Sequence, residues 1–196
     1  MHNGKCTHLT RFFPPWRAVD LVVAAVLGVA TGVVFTAWNA VYAPLSIPLG
    51  AITPGLVALL DGVWLVGGLL VGLIIRRPGA ALFGELLASL VSAAIGNQWG
   101  FSVLLLGIVQ GLAIEVGLLL WAYRGSLWGA AVTAGAIGGV VQGFLEVAYW
   151  YPGTDSTFVS IYVSSATASG ALLGAGLSAG LVTVLARTGV LANFGR

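Results

Sequence analysis

The chain has 196 residues, 59% of them hydrophobic and only 7% charged, with a mean hydropathy of +1.03. A soluble domain carries about 25% charged residues, so this composition excludes a water-soluble globule and implies a polytopic membrane protein. The net charge of +2 rests on a few scattered basic residues, which does not suit nucleic-acid binding, and a single cysteine, Cys6, excludes an internal disulfide or a cysteine-based metal cluster.

A bilayer core about 30 Å thick takes roughly 20 apolar residues per helical crossing. Six segments meet that length: 19–42, 53–75, 79–96, 101–122, 127–149 and 160–187. The expected fold class is an all-α membrane protein, a six-transmembrane-helix bundle forming one domain over 1–196. Residues 1–18 form a basic arm that holds His2 and His8, which leaves no histidine inside the membrane. The apolar run after the arm is too long for a signal-peptide core and reads as a retained helix. Proline and glycine punctuate the rest. Pro44, Pro48 and Pro54 interrupt the first connection, Pro78-Gly79 the second, Asn97 to Gly100 the third, Arg124-Gly125 the fourth and Pro152-Gly153 the fifth.

Basic residues give the orientation. Lys5, Arg11 and Arg17 precede helix 1, Arg76 and Arg77 follow helix 2, Arg124 follows helix 4, and Arg187 and Arg196 end the chain. Connections 42–52, 96–100 and 150–159 contain no Lys or Arg. The positive-inside rule therefore places both termini in the cytoplasm of a multi-pass protein of the cell membrane. The outer connections are flanked instead by aromatic residues, among them Trp38, Tyr42, Trp99, Tyr149, Trp150, Tyr151 and Tyr162. These form an interfacial belt or the walls of an outward-facing pocket. Trp64, Trp121 and Trp128 read more simply as belt or packing residues.

Helix 1 carries a small-residue ridge, Ala24, Gly28 and Gly32, at a spacing that lets another helix approach closely. It serves either as an internal seam or as a docking face for another subunit. The interior of the apolar segments holds four acids, Asp61, Glu85, Glu115 and Glu146, and no base. Each must be protonated, hydrogen-bonded, exposed to a wet cavity or matched to a cationic ligand. The sign favours a cation, or a neutral ligand rich in N–H donors. Glu146 lies roughly 5 Å below the outer end of its helix and Asp61 roughly 12 Å below the end of its own. Gln110 falls near the midplane as a possible floor, and Glu115, in the inner half of helix 4, has the place of a structural residue.

Helical periodicity groups these residues into faces. Gly139, Gln142, Glu146 and Tyr149 share one stripe on helix 5; Glu85, Ser89, Ser92 and Gly96 share another on helix 3, leading to Asn97; Tyr162, Ser165, Ser169 and Gly176 share a weaker one on helix 6. Serines and glycines often mark helix seams only. Packing alone, however, does not require the carboxylate of Glu146 one turn from the carboxamide of Gln142. Catalysis is poorly supported, because no histidine, cysteine or lysine lies in the membrane segments. No phosphate-binding loop is present, so energy from ATP must come from another protein.

The strings Arg76-Arg77-Pro78-Gly79-Ala80-Ala81-Leu82 with Glu85, then Gly96-Asn97, then Gly107-Ile108-Val109-Gln110-Gly111-Leu112 with Glu115 resemble the YkoE family. Gly62 and Trp64 fit upstream. That family comprises substrate-binding S components of energy-coupling-factor (ECF) vitamin transporters assigned to thiamin and its hydroxymethylpyrimidine precursor. The resemblance implies a vitamin pocket opening outward and capped by the connection between helices 1 and 2. It also implies a transmembrane coupling subunit and cytoplasmic ATPase subunits as partners, and it favours docking for the ridge of Ala24, Gly28 and Gly32. An aminopyrimidine edge suits carboxylates and carboxamides, and a thiazolium suits an aromatic face. The expected ligand residues are Glu85, Asn97, Trp99, Gln110, Gln142, Glu146, Tyr149 and Trp38, with no metal and no cofactor held by this chain. Two other classes remain open: a stand-alone cation or proton-coupled carrier, and, least supported, an intramembrane enzyme.

Overall fold

A computed structural model describes residues 15–189, all-helical apart from short turns. Lys5, Cys6, His2, His8, Arg11 and Arg196 lie outside the described residues. The elements are α1 (Ala18–Ile52), a 3-10 helix (Leu56–Leu65) running into α2 (Val66–Ile75), α3 (Ala80–Ile95), α4 (Ser102–Leu120), α5 (Leu127–Trp150), and α6 (Ser156–Ser169) joined through a π turn (Gly170–Gly174) to α7 (Ala175–Arg187). Among the described residues, five helical stretches are long and apolar enough to cross a membrane. The sixth apolar segment gives α3, whose 16 residues span only about 24 Å at 1.5 Å per residue.

Two boundaries differ from expectation. Helix α1 does not stop before Pro44 but continues through Pro44 and Pro48 to Ile52. Each proline deprives the carbonyl four residues earlier of a donor. Those carbonyls belong to Ala40 and Pro44, both exposed, so the lost bonds fall outside the packed core. Only Pro54 ends the helix, by holding Thr53 extended (φ −155°, ψ 126°). The connection expected to cap a pocket is thereby reduced to the turn at 53–55. The second crossing likewise starts as a tighter 3-10 helix, which advances about 2.0 Å per residue rather than 1.5 Å.

Helix α2 is the central post. Its sequence, VGGLLVGLII, has no polar side chain and all ten residues are buried, in contact with α1, α3, α4, α5 and α7. The 3-10 helix above it is gripped by the π turn through backbone contact. A Cβ on Gly62 would stand 2.3 Å from the Ser169 carbonyl oxygen, and one on Gly170 only 2.1 Å from that of Gly135. Close approach therefore demands glycine at both places. The ridge of Ala24, Gly28 and Gly32 is also an internal seam. All three are buried, and a Cβ on Gly28 or Gly32 would press on Leu87 or Val91 of α3. The docking role expected of the ridge is corrected accordingly: α3 already occupies that face.

One end of the bundle is tied by a charged clasp. Asp20, in the first turn of α1, pairs with Arg17 at 2.8 Å and with Arg77, in the α2–α3 turn, at 2.7 Å. Arg77 also donates to the Pro15 carbonyl at 2.6 Å, and the Trp16 indole donates to the Pro78 carbonyl at 3.0 Å. Removing the carboxylate with Asp20→Ala leaves its donors without an acceptor and is expected to cost about 1–3 kcal/mol, read as a lower thermal midpoint in detergent. An unchanged midpoint would show that the clasp contributes nothing to stability.

Candidate functional site

At the end of the bundle opposite Arg76, Arg77, Arg124 and Arg187, five α-helices and the 3-10 helix leave a narrow cavity of about 70 Å³. That volume is below the roughly 300–1,000 Å³ typical of small-ligand pockets, so a drug-sized ligand requires the wall side chains to move apart. Helix α1 presents Phe35, Asn39 and Tyr42 to it, a stripe at i, i+4 and i+7. Helix α3 contributes Glu85, Ser89 and Ser92, and α4 contributes Val103, Leu106 and Gln110. Glu146 and Trp150 of α5, Tyr162 of α6, Trp64 and Trp99 complete the wall. No lining residue comes from 43–63, so the α1–α2 connection is not the cap that was expected.

The aromatic wall is a mutual cluster. Ring centroids lie 4.9 Å apart for Tyr42 and Trp64, 5.6 Å for Tyr42 and Trp99, and 5.2 Å for Trp64 and Trp99. A hydrogen-bonded chain fixes its base: the Trp64 indole donates to Asn39 Oδ1 at 2.9 Å, and Asn39 Nδ2 donates to Ser92 at 3.1 Å. Trp64 is thus a wall residue rather than a belt residue. Three aromatic faces around one space attract a cation or a flat heteroaromatic ring.

The acids occupy separate positions. Glu85 is fully buried; its Oε2 accepts from the Gly68 amide at 2.6 Å, just past the junction of the 3-10 helix with α2. Its Oε1 has no partner. On the other side, Glu146 accepts from Gln142 Nε2 at 2.9 Å and from the Tyr162 hydroxyl at 2.7 Å. Asp61, expected at a different depth, abuts Glu146 from behind the wall. Glu115 lies towards the other end and is structural, as its position in helix 4 suggested. It accepts from the Ala81 and Leu82 amides at 2.6 and 3.3 Å, holding the N-terminus of α3, and also from the Tyr123 hydroxyl.

Of the expected ligand residues, Glu85, Trp99, Gln110 and Glu146 line the cavity. Gln142 and Asn97 stand behind it: Gln142 orients Glu146, and Asn97 Oδ1 accepts from the Trp99 amide at 2.8 Å. Trp38 and Tyr149 are not among its lining residues, a correction with a rotational cause. Trp38 precedes Asn39 and so points about 100° away from the Phe35–Asn39–Tyr42 stripe. Tyr149 is half exposed and packs on Trp150, which takes its place at the wall. The i, i+4, i+7 spacing of Phe35, Asn39 and Tyr42 was the sequence signal for the part of the site that was missed.

Comparison with known proteins follows the same lines. The model of a family described as the permease component of an ABC-type cobalt transport system matches residues 19–141. A Bacillus subtilis (strain 168) protein, YkoE, named provisionally as an HMP/thiamine permease, is 31% identical over 181 residues, covering 90% of this chain and 87% of that one. The chain belongs to the YkoE family. A solved S component of an ECF transporter superposes with a TM-score of 0.82 at 26% identity, covering 92% of this chain and 91% of the other. This member of the YkoE family is therefore a multi-pass membrane protein with the fold of a transporter S component, and not an enzyme.

Proposed function

We propose that this chain binds thiamin or its hydroxymethylpyrimidine precursor from outside the cell, as the S subunit of an ATP-driven ECF importer. Both termini then lie in the cytoplasm, and a coupling subunit and ATPase subunits supply the energy. The observation that carries the reading is the cavity itself: two carboxylates from separate helices, three packed aromatic rings and no basic side chain in the lining. The name of the Bacillus relative points to the same cargo.

The two acids divide the ligand by their remaining capacity to accept. Glu85 has an oxygen with no donor, suited to the exocyclic amine of an aminopyrimidine. Glu146 already accepts from Gln142 and Tyr162, so it offers charge more than a free lone pair and suits the thiazolium. Hydroxymethylpyrimidine lacks that cation and engages the Glu85 side alone.

A metal cargo is suggested by the description of the family model. Among the described residues no three His, Cys, Asp or Glu side chains converge as a metal site; His2, Cys6 and His8 lie outside them. Calorimetry of the purified protein with thiamin, hydroxymethylpyrimidine and Co²⁺ tests the choice. Binding of either organic ligand supports the proposal; binding of Co²⁺ alone, or of none at micromolar levels, overturns it. Uptake by the lone protein in liposomes under a pH gradient would instead support a stand-alone carrier.

A further inference from the structure

Behind the wall that Glu146 presents to the cavity lies a second carboxyl that the ligand reading does not use. Asp61, on the 3-10 helix, is 1% exposed, and neither of its oxygens receives a hydrogen bond. It faces Glu146 within hydrogen-bonding reach. The other titratable groups facing the pair are phenols: Tyr42 of α1, Tyr151 just beyond α5 and Tyr162 of α6. An ionised Asp61 would be a buried charge with no donor, next to a like charge, which is strongly unfavourable. Glu146 differs, because Gln142 and Tyr162 both donate to it. The donors therefore assign the negative charge to Glu146.

We infer that Asp61 is a positioning residue that keeps its proton, a neutral carboxylic acid donating to Glu146 as the third of three hydrogen bonds that hold this carboxylate ionised and aimed at the cavity. The pair then carries a single negative charge, matched to a monovalent organic cation. The inference rests on the reading of Glu146 as the group that meets the cationic ligand.

Infrared difference spectroscopy on the unliganded protein tests it without any ligand. Wild type should show a protonated-carboxyl C=O band that disappears in Asp61→Asn. A band from another acid such as Glu85 would persist in both and cancel. A band that survives Asp61→Asn and vanishes in Glu146→Gln would assign the proton to Glu146 and overturn the inference. Thiamin binding adds a second arm. Asparagine keeps the shape and an N–H donor, so Asp61→Asn should bind within a few-fold of wild type, whereas Asp61→Ala should lose roughly ten- to a hundredfold. Equal losses in the two variants would also overturn it, and if the alanine variant fails to fold, the spectrum and the asparagine variant still decide. A band lost in Asp61→Asn in a protein that binds no thiamin would leave the proton assignment standing and remove the ligand reading.

Discussion

Glu146→Gln is expected to weaken thiamin binding by about 2–4 kcal/mol, tens- to several hundredfold in Kd, while costing hydroxymethylpyrimidine less than tenfold. The magnitude is that of a charge pair about 4 Å apart at the effective dielectric of a partly buried site. The substitution preserves shape: a glutamine side chain still has an oxygen for Tyr162, whose hydroxyl donates at 2.7 Å in the native protein. Gln142 must turn its carboxamide to meet the new N–H₂, a cost common to both ligands, so the difference between them isolates the electrostatic part. Titration calorimetry with both ligands on one preparation gives the comparison, and equal losses would remove Glu146 from the cation.

Gly62→Ala should lower the thermal midpoint sharply, at a cost of about 1–3 kcal/mol or more from overpacking. The new methyl would stand 2.3 Å from the Ser169 carbonyl oxygen and 2.6 Å from its carbon, both backbone atoms that no rotamer change can move. The same displacement stretches the bonds that lock this corner, Gly62 amide to Ser169 Oγ at 2.8 Å and Ser169 Oγ to the Leu59 carbonyl at 2.6 Å. Asp61 is the adjacent residue, so ligand affinity should fall with stability. Gly180→Ala provides the contrast. Nothing lies within 4 Å of a Cβ there, and alanine in a helix interior is favoured over glycine by about 0.5–1 kcal/mol. A midpoint unchanged in Gly62→Ala would mean that the α6 backbone at Ser169 yields at little cost.

Much of the architecture was legible in the chain because crossing a bilayer constrains composition directly. The apolar runs located the helices, and Glu115 was read as structural from its place in helix 4 before its bonds to Ala81 and Leu82 were seen. The site was legible by half. Glu85, Gln110 and Glu146 stood out because polar groups in apolar segments are costly, and Trp99 because it flanks an outer connection. Asn39 and Trp64 did not, since each looks like an ordinary residue until the other is beside it. Pro44 and Pro48 misled, because a proline's cost depends on whether the carbonyl it deprives is buried or exposed, and sequence does not state that.

By itself, then, the sequence determined that the chain crosses a membrane several times and keeps four acids there without a base. Tertiary structure alone decided that Asp61 would back Glu146, that α3 would cover Gly28 and Gly32, and that Trp38 would turn away while Trp64 turned in. The physical reason is that hydropathy fixes length and depth along each helix separately. Which side chains meet depends on the rotation and level of neighbouring helices, and those are set here by glycine contacts such as Gly62 on Ser169 and Gly135 on Gly170.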